Sequence, residues 1–362
     1  MAQNLSPGGA GNIATVDLSP FTALIENPST ASQRLKAGQD LVEALHRLGF
    51  AKVTGHGLSK DEINEALEWT KRLFDLPELD KLKAPHPPGP MPHRGYSGIG
   101  KEKVYSKDEV ESHTGDENVS QTLRKISDFK ESYEIGSEDD PVQQNIWLPE
   151  DVLPHFKEYM NGLYKRLVGV SQVVLDAISL GFGLDDEAHR ALNKLMSNCH
   201  CQLRLLHYPA ISKEKLQKEL LARLPAHHDW GTLTLLFQDS RGGLELKDPF
   251  TKQFMHAEPE DDAFILNIGD MLERFTNSLA AGYFVSALHR VSVPIPDTVP
   301  PSGIPARYSV PFFVAPDFSH TVATLPQFVT PEHPIKYEPI RFDQYGSVVS
   351  KYQYDNGESE EP

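Results

Sequence analysis

Cysteine and positive charge are both scarce in this sequence. Only two of the 362 residues are cysteines, Cys199 and Cys201. Two positions apart in a strand they do not normally bridge, so we expect no disulfide framework and a reducing compartment. Lys and Arg number 35 against 51 Asp and Glu, a net charge of −16. This balance argues against nucleic acid or an anionic membrane as partner, because phosphate binding requires clustered Lys and Arg.

Long apolar segments and targeting signals are absent as well. No apolar run approaches the length of a membrane span. The first residues lack the positive and apolar regions of a secretory signal. The chain also has no internal repeat and no Gly-rich phosphate-binding loop. We therefore expect a cytoplasmic protein with no membrane partner, and its 39% hydrophobic residues suffice for a full core. The pattern does not specify the oligomeric state.

Helical periodicity dominates the first half of the chain. Four helices are predicted, namely Ser32 to Leu48 with Gly49 as its stop, Ser59 to about Asp75, about Pro154 to Leu180, and 185–193. Ser59 and Glu62 have the spacing of a capping box. Proline and small residues between 85 and 100 predict a loop, and with the polar segment 101–140 it is either a surface loop or a lid over a pocket. A strand is predicted near Asp128 to Glu134.

Short strands separated by turns follow from Cys199 to about Val314, a pattern typical of a β-sandwich or jelly roll. We predict a mainly β protein with flanking helices and a distorted double-stranded β-helix (jelly-roll, cupin-like) core. The predicted division is 12–135 as an N-terminal region with helices and the lid loop, 136–198 as helical support, 199–320 as the core, and 321–362 as a C-terminal helix and disordered tail.

His227 and Asp229 are the first candidate metal ligands. Residues i and i+2 of a strand face the same way, so both side chains point to one side at the start of an apolar strand. His289, far downstream, is the candidate third ligand. Two His and one carboxylate with open positions form the facial triad of non-haem Fe(II) oxygenases. Alternation points His228 away from Asp229, so we reject it as a ligand unless the strand bulges.

Arg307 and Ser309 are the candidate co-substrate residues. They share one face of a predicted strand, where a guanidinium can bind a carboxylate through two hydrogen bonds and a hydroxyl adds another. These groups suit a dicarboxylate co-substrate, and Tyr208 could add a phenol hydroxyl. The assignment depends on this strand lying in register with the triad.

Taken together, these motifs resemble the iron(II)- and 2-oxoglutarate-dependent dioxygenase superfamily, in the branch that contains isopenicillin N synthase and the plant flavonoid and gibberellin oxygenases. The similarity covers most of the chain. The motifs that carry it are Ile13 to Leu18, Gly49-Phe50, Gly55-His56-Gly57-Leu58, Arg94-Gly95-Tyr96, Leu205 to Pro209, His227 to Gly231, Gln238-Asp239 with Gly242-Gly243-Leu244, Asn267-Ile268-Gly269-Asp270, His289-Arg290-Val291 and Arg307-Tyr308-Ser309.

The resemblance implies that His227, Asp229 and His289 bind Fe(II), and that Arg307 and Ser309, assisted by Tyr208, hold the distal carboxylate of 2-oxoglutarate. The implied reaction uses O2 to oxidise a C–H bond of a small-molecule, specialised-metabolite substrate by hydroxylation, desaturation or cyclisation, with release of succinate and CO2. Three features depart from the family pattern. Leu206 stands where Asn is frequent, His228 replaces the usual Thr, and the segment 276–282 is about four residues longer.

Two alternatives and the substrate remain open. An isopenicillin N synthase-type oxidase would use Fe(II) and O2 without 2-oxoglutarate, and a hydrolytic or non-enzymatic jelly roll would hold zinc, with Cys199-His200-Cys201 as a second site. The predicted pocket lining is the loop 94–98, the strands near 128–134 and 203–208, and the C-terminal tail. Arg204 and Arg124 are candidate contacts for an acidic substrate.

Overall fold

A computed structural model describes residues 13–23, 30–88, 93–101, 129–197, 199–218, 223–278, 284–293 and 299–347. Some of the predictions concern residues outside these ranges. They are most of the lid loop with Arg124, the greater part of the longer segment 276–282, and the predicted disordered end of the tail.

The four predicted helices lie close to the positions that periodicity indicates, and the described residues hold four further short helices that were not predicted. The bounds are α1 Ser19–Thr22, α2 Ala31–Leu48, α3 Lys60–Phe74, α4 Glu78–Lys81, α5 Phe156–Phe182, α6 Asp186–Asn193, α7 Lys213–Lys218 and α8 Asp270–Phe275, with a 3-10 turn at Pro326–Phe328. The predicted helices are α2, α3, α5 and α6. The predicted capping box begins α3, since the Ser59 hydroxyl accepts from the Glu62 amide and the Glu62 carboxylate accepts from the Ser59 amide. The predicted stop ends α2, where Gly49 adopts φ 73°.

The strands form two principal sheets. In chain order they are β1 Thr15–Asp17, β2 Phe50–Thr54, β3 Gly95–Ser97, β4 Glu131–Ile135, β5 Gln202–Tyr208, β6 Leu224–His227, β7 Leu233–Gln238, β8 Leu244–Lys247, β9 Phe254–His256, β10 Phe264–Ile268, β11 His289–Val291, β12 Arg307–Val314, β13 Thr321–Val322 and β14 Ile340–Arg341. Eight strands pair in the order β1-β2-β10-β7-β12-β5-β4-β3, and four in the order β6-β11-β8-β9. Within residues 199–320, β5, β7, β10 and β12 belong to the larger sheet and β6, β8, β9 and β11 to the smaller one, so the chain passes repeatedly between two sheets, as in a jelly roll.

The larger sheet has a helix-facing side and an interior side. Leu203 and Leu205 of β5 belong to the main apolar core with α2, α3 and α5, whereas Leu206 and Tyr208 form a separate apolar cluster with Val291 of the smaller sheet. Alternation along β5 therefore turns every second side chain into the space between the sheets. Strands β1 to β4 join this same eight-stranded sheet, and the predicted four-part division of the chain stays a prediction.

Two local predictions need correction. The predicted small-residue loop 94–98 contains strand β3, because Gly95–Ser97 pairs with β4 and is buried. The predicted helical tail 321–355 instead holds the β13–β14 pair and the 3-10 turn, and is helical only over 342–347 within the described residues. Its prolines, at 326, 331, 334 and 339, interrupt a continuous helix. In the part of the chain that the structure describes, no helix has the length and apolarity to cross a bilayer.

Candidate active site

The three predicted metal ligands lie together. His227 ends β6 and His289 begins β11, and the two residues are direct partners across these antiparallel strands. The Nε2 atoms of His227 and His289 lie 3.7 and 3.8 Å from Oδ1 of Asp229. One possible ligand atom from each of the three residues lies within 4.8 Å of the other two. Among the described residues, these three side chains are the cluster that could hold a metal ion. These three side chains could hold one metal ion between them.

Backbone carbonyls orient both imidazoles. Nδ1 of His227 lies 2.9 Å from the carbonyl oxygen of Pro225, and Nδ1 of His289 lies 3.0 Å from that of Ala287. A carbonyl only accepts, so Nδ1 carries the proton and donates in each ring. Nε2 of each ring is then unprotonated, and its lone pair is available to a metal ion. Hydrogen bonds of this kind fix the tautomer and the ring orientation of histidine metal ligands.

Asp229 is held by two neighbouring strands. Its Oδ2 accepts a hydrogen bond of 2.6 Å from the Thr234 hydroxyl and one of 2.7 Å from the Asn267 amide. Thr234 of β7 and Asn267 of β10 are themselves direct cross-strand partners. One carboxylate oxygen is therefore occupied by the protein, and the other faces the two histidines.

The ionisation of these groups suits a metal. Burial, together with the nearby His289, lowers the pKa of His227 to about 4. Burial by itself would raise the pKa of Asp229, but His289, His227, Thr234 and Asn267 together hold it below its ordinary value. At neutral pH the site therefore presents a neutral imidazole at His227 and an ionised carboxylate, the forms that bind metals.

The chain between the first two ligands differs from the predicted continuous strand. Strand β6 stops at His227 and β7 starts at Leu233, so Asp229 lies in irregular backbone two residues beyond β6. His228 nevertheless points elsewhere, since its Nδ1 lies 2.9 Å from the carbonyl oxygen of Ser286. The side chain of His228 is thus hydrogen-bonded to the segment that precedes His289, and it does not belong to the ligand group.

The predicted co-substrate residues also meet. Arg307 and Tyr208 are cross-strand partners, and the Arg307 guanidinium lies 5.0 Å from the centre of the Tyr208 ring. Two NH groups of Arg307 donate to the Ser309 hydroxyl at 3.0 Å and to the Gln238 side-chain oxygen at 2.8 Å. The side chain is buried, and among the described residues its Nε–H has no hydrogen-bond partner. A buried donor without an acceptor is costly, and a ligand carboxylate would satisfy it.

An arginine and a glutamate lie on the same interior face of the larger sheet as the co-substrate residues. Glu134 of β4 pairs with Arg204 of β5, and Ser132 pairs with Leu206, which in turn pairs with Ser309. Direct partners in antiparallel strands project to the same side. Nε of Arg204 lies 2.6 Å from the Glu134 carboxylate, so the guanidinium already has a counter-ion. Its predicted contact with an acidic substrate stays a prediction.

The alternative second metal site is not formed. Nδ1 of His200 lies 3.3 Å from Oδ2 of Asp140, and its ring stacks on Phe318 at 4.0 Å. Cys199 and Cys201 are both free thiols. Residues 199–201 are absent from the candidate ligand groups of the described chain.

Three polar residues of the site were not predicted as functional, namely Thr234, Asn267 and Gln238. Neither was the buried Arg223, which immediately precedes β6. Asn267 and Gln238 stand inside motifs that carried the family resemblance, so a partial signal existed. The positions of Thr234 and Gln238 follow from strand pairing, since they lie opposite Asn267 and Ser309. Arg223 has no local sequence signal.

A jelly roll in which two imidazoles and one carboxylate converge, with coordination positions left open, defines the class of non-haem metal-dependent oxygenases. Residues 199–316 match the family described as 2OG-Fe(II) oxygenase superfamily, and residues 13–154 match the non-haem dioxygenase in morphine synthesis N-terminal family. The chain belongs to the 2OG-Fe(II) oxygenase superfamily, and the isopenicillin N synthase-like branch fits.

Curated relatives and solved structures agree with this assignment. The 2-oxoglutarate-dependent dioxygenase htyE of Aspergillus rugulosus is 37% identical over 328 residues, which cover 90% of this chain and 94% of that protein. The proline hydroxylase buaE of Petromyces alliaceus is 37% identical over 83% of this chain and 87% of its own length. A Neurospora crassa protein crystallised in complex with alpha-KG and thymine superposes with a TM-score of 0.79 at 31% identity, covering 93% of this chain and 96% of that one.

These similarities confirm the predicted jelly-roll fold and the predicted activity. The protein is a 2-oxoglutarate-dependent oxygenase, an enzyme that uses Fe(II), 2-oxoglutarate and O2. The structure adds the residues that fit these groups, described above.

Proposed function

We propose that His227, Asp229 and His289 bind the Fe(II) of this oxygenase, and that Arg307, Ser309 and Tyr208 bind the distal carboxylate of 2-oxoglutarate. The observation that carries the proposal is that a convergent ligand group and a buried guanidinium, whose Nε–H has no partner among the described residues, are held from the same face of β7. With Fe(II) and 2-oxoglutarate bound there, the site would use O2 to oxidise a C–H bond, one oxygen atom entering the succinate formed with CO2 from 2-oxoglutarate and the other serving the substrate oxidation.

Strand β7 links the two parts of the site. Thr234, which holds Asp229, and Gln238, which holds Arg307, lie four residues apart on the same face of this strand. Four residues of extended strand span roughly 13 Å. This length leaves room for a five-carbon dicarboxylate that reaches from a metal at the triad to the guanidinium.

The protein residues bind, orient and exclude water. The carbonyls of Pro225 and Ala287 keep Nε2 of each histidine available, and Thr234 and Asn267 keep Oδ1 of Asp229 directed at the same point. Beside Arg307, the apolar cluster of Leu206, Tyr208 and Val291 lines the space between the sheets. A hydrogen bond to a carboxylate is stronger in such a low-dielectric space than in water.

For the substrate we propose a small, polar molecule. Arg204, Glu134 and Ser132 share the interior face with the proposed co-substrate residues, and their donors and acceptors can hydrogen-bond a polar ligand. The names of the relatives support a small molecule, since one is a proline hydroxylase and one structure contains thymine. A fungal specialised metabolite is consistent with these relatives, and a cytoplasmic location stays a prediction.

An anaerobic titration with Fe(II) and 2-oxoglutarate tests the ligand assignment. The wild-type protein should develop the visible charge-transfer band of an Fe(II)–keto acid complex. His289→Ala should abolish the band because a metal ligand is lost. His256→Ala, a matched control at an exposed histidine on β9, should leave it unchanged. An unaltered band in His289→Ala would contradict the assignment.

The two functional alternatives differ in co-substrate use. A 2-oxoglutarate-dependent oxygenase should release succinate in a one-to-one ratio with oxidised substrate, and should release it slowly in the absence of substrate. Arg307→Gln should retain Fe(II) and raise the concentration of 2-oxoglutarate needed for the band. Substrate oxidation at full rate without 2-oxoglutarate would instead identify an isopenicillin N synthase-type oxidase.

A further inference from the structure

A second buried guanidinium lies beside the proposed co-substrate site. Arg223 immediately precedes β6, the strand that carries His227. Its side chain is buried, with 3% of the residue exposed, against 1% for Arg307. One NH group donates to the carbonyl oxygen of Pro305 at 2.6 Å. The guanidinium lies 5.9 Å from the centre of the Tyr208 ring, the same ring that contacts Arg307.

The two cations lack a carboxylate among the described residues. Arg307 donates to Ser309 and Gln238, neither of which is charged. Arg223 donates to the carbonyl oxygen of Pro305. Among the described residues, the Nε–H of each arginine has no hydrogen-bond partner. The carboxylate that acts on the pKa of Arg223 is that of Asp239, which raises it less than Tyr208 does. The Asp239 carboxylate, however, accepts from the backbone amides of Tyr308 and Arg241.

The electrostatics of Arg223 reflect this crowding. Burial, followed by the positive charge of Arg307, lowers its pKa to about 10. Arg223 therefore remains charged at neutral pH. Burying an unpaired cation is expensive, and burying two close together is more so. An anion bound between them would relieve both costs.

We propose that Arg223 is a second guanidinium for the distal carboxylate of 2-oxoglutarate, shared with Arg307. This inference rests on the function proposed above. A carboxylate has two oxygens and about four acceptor sites. It can therefore accept from the free Nε–H of both arginines and from the nearby hydroxyls of Ser309 and Tyr208. A second cation also makes the site selective for a keto acid with a charged far end.

The test compares two keto acids that differ only at that end. 2-Oxopentanoate has the carbon chain of 2-oxoglutarate with a methyl group in place of the distal carboxylate. Dissociation constants of both are measured anaerobically with Fe(II) by the charge-transfer band and by calorimetry. Arg223→Gln should weaken 2-oxoglutarate about 10- to 100-fold, the effect of a lost hydrogen bond to a charged group. Affinity for 2-oxopentanoate should change less than about 2-fold.

Control variants make the outcome specific. Arg241→Gln removes an arginine at the exposed turn after β7 and should leave both dissociation constants unchanged. Arg223→Lys, which keeps the charge, should recover part of the affinity. The double variant Arg223→Gln/Arg307→Gln should show a non-additive loss, since both residues hold the same group. Circular dichroism and melting temperature show whether each variant is folded.

Each other result overturns the inference. Equal weakening of both keto acids would show that Arg223 only supports the fold of the site. An unchanged affinity for 2-oxoglutarate would show that the guanidinium serves another anion. Failure of the proposed function is distinguishable, because in that case the wild-type protein gives no band or Arg307→Gln leaves 2-oxoglutarate binding unaltered.

Discussion

Asn267 and Asp229 are joined by a hydrogen bond of 2.7 Å between the Asn267 amide and Oδ2 of the carboxylate. Asn267 lies on β10, the strand beside β7. The bond connects the proposed metal site to the middle of the larger sheet. It also determines which oxygen of Asp229 faces the histidines, so the ligand geometry depends on a residue that does not touch the metal.

Replacement of Asn267 by Ala should therefore weaken Fe(II) binding. The expected loss is about 10- to 100-fold in affinity, as for other residues that orient metal ligands. Anaerobic Fe(II) titration followed by calorimetry measures it. Thr234→Ser, which keeps a hydroxyl on the same oxygen, should stay close to wild type. Unchanged Fe(II) affinity in a folded Asn267→Ala variant would show that Thr234 alone orients the carboxylate.

Gln238 should influence co-substrate binding through Arg307. Its side-chain oxygen accepts from the guanidinium at 2.8 Å, and its amide donates to the carbonyl of Ala257 at 3.3 Å. Gln238→Leu removes this support, so the dissociation constant of 2-oxoglutarate should rise about 5- to 10-fold, because the guanidinium is less well oriented. Fe(II) affinity should not change.

The matched control for that experiment is Gln253→Leu, an exposed glutamine before β9. It should leave the binding of both ligands as in the wild type. A loss of Fe(II) binding in Gln238→Leu would contradict the expected selectivity, because it would show that the substitution disturbs the whole interior.

Gly269 should tolerate no side chain. A Cβ atom at this position would lie 2.2 Å from the carbonyl oxygen of Gly231 and 3.0 Å from that of Asp229. Because both contacts are with backbone, relief requires a shift of the segment that carries the carboxylate ligand. Gly269→Ala should thus destabilise the protein by about 1–3 kcal/mol or more and weaken Fe(II) binding, measured by urea unfolding and metal titration.

Gly162→Ala is the control for this overpacking. Gly162 lies inside α5, and a Cβ there would meet nothing within 4 Å. Alanine has the higher helix propensity, so this variant should be equally stable or more stable by up to about 1 kcal/mol. If both glycine variants behaved alike, the close approach of Gly269 to the ligand segment would have no energetic consequence.

The parts of this structure that sequence predicted are those specified locally or by a motif. Ser59 and Glu62 have the fixed spacing of a capping box, so the start of α3 was predictable. Gly49 follows the last apolar turn of α2, so the end of that helix was predictable as well. The jelly-roll core followed from strand spacing and family resemblance. The structure brings His227, Asp229 and His289 together as predicted, while their role as iron ligands remains a proposal.

The rest depends on long-range pairing. Thr234 and Asn267 act on the same oxygen because β7 and β10 are neighbours in one register, and nothing within either strand encodes that register. Gln238 reaches Arg307 for the same reason. The helical prediction for the tail was wrong for 321–341, where prolines interrupt any continuous helix.

His56 provides a prediction about pH. Its ring is buried, with Nδ1 accepting from the Leu58 amide at 3.2 Å and Nε2 lying 3.1 Å from the carbonyl oxygen of Asp262. The proton therefore sits on Nε2, and a second proton on Nδ1 would break the bond to Leu58. Burial lowers the pKa of His56 below 6.5, although Asp262 and Glu62 partly oppose the shift.

The pH dependence of the free energy of unfolding follows from the difference in proton binding between the folded and unfolded states. Between the lowered folded-state pKa and about pH 6.5, the unfolded chain binds a proton at this histidine while the folded protein does not, so unfolding is favoured as pH falls through this interval. The contribution of neutral His56 to the stability of the folded protein is fully present above pH 6.5 and is lost as pH falls through the folded-state pKa. Urea unfolding of wild type and His56→Gln should show a stability difference that narrows from pH 7.5 to pH 5. A difference that stays constant over this interval would show that His56 titrates alike in both states.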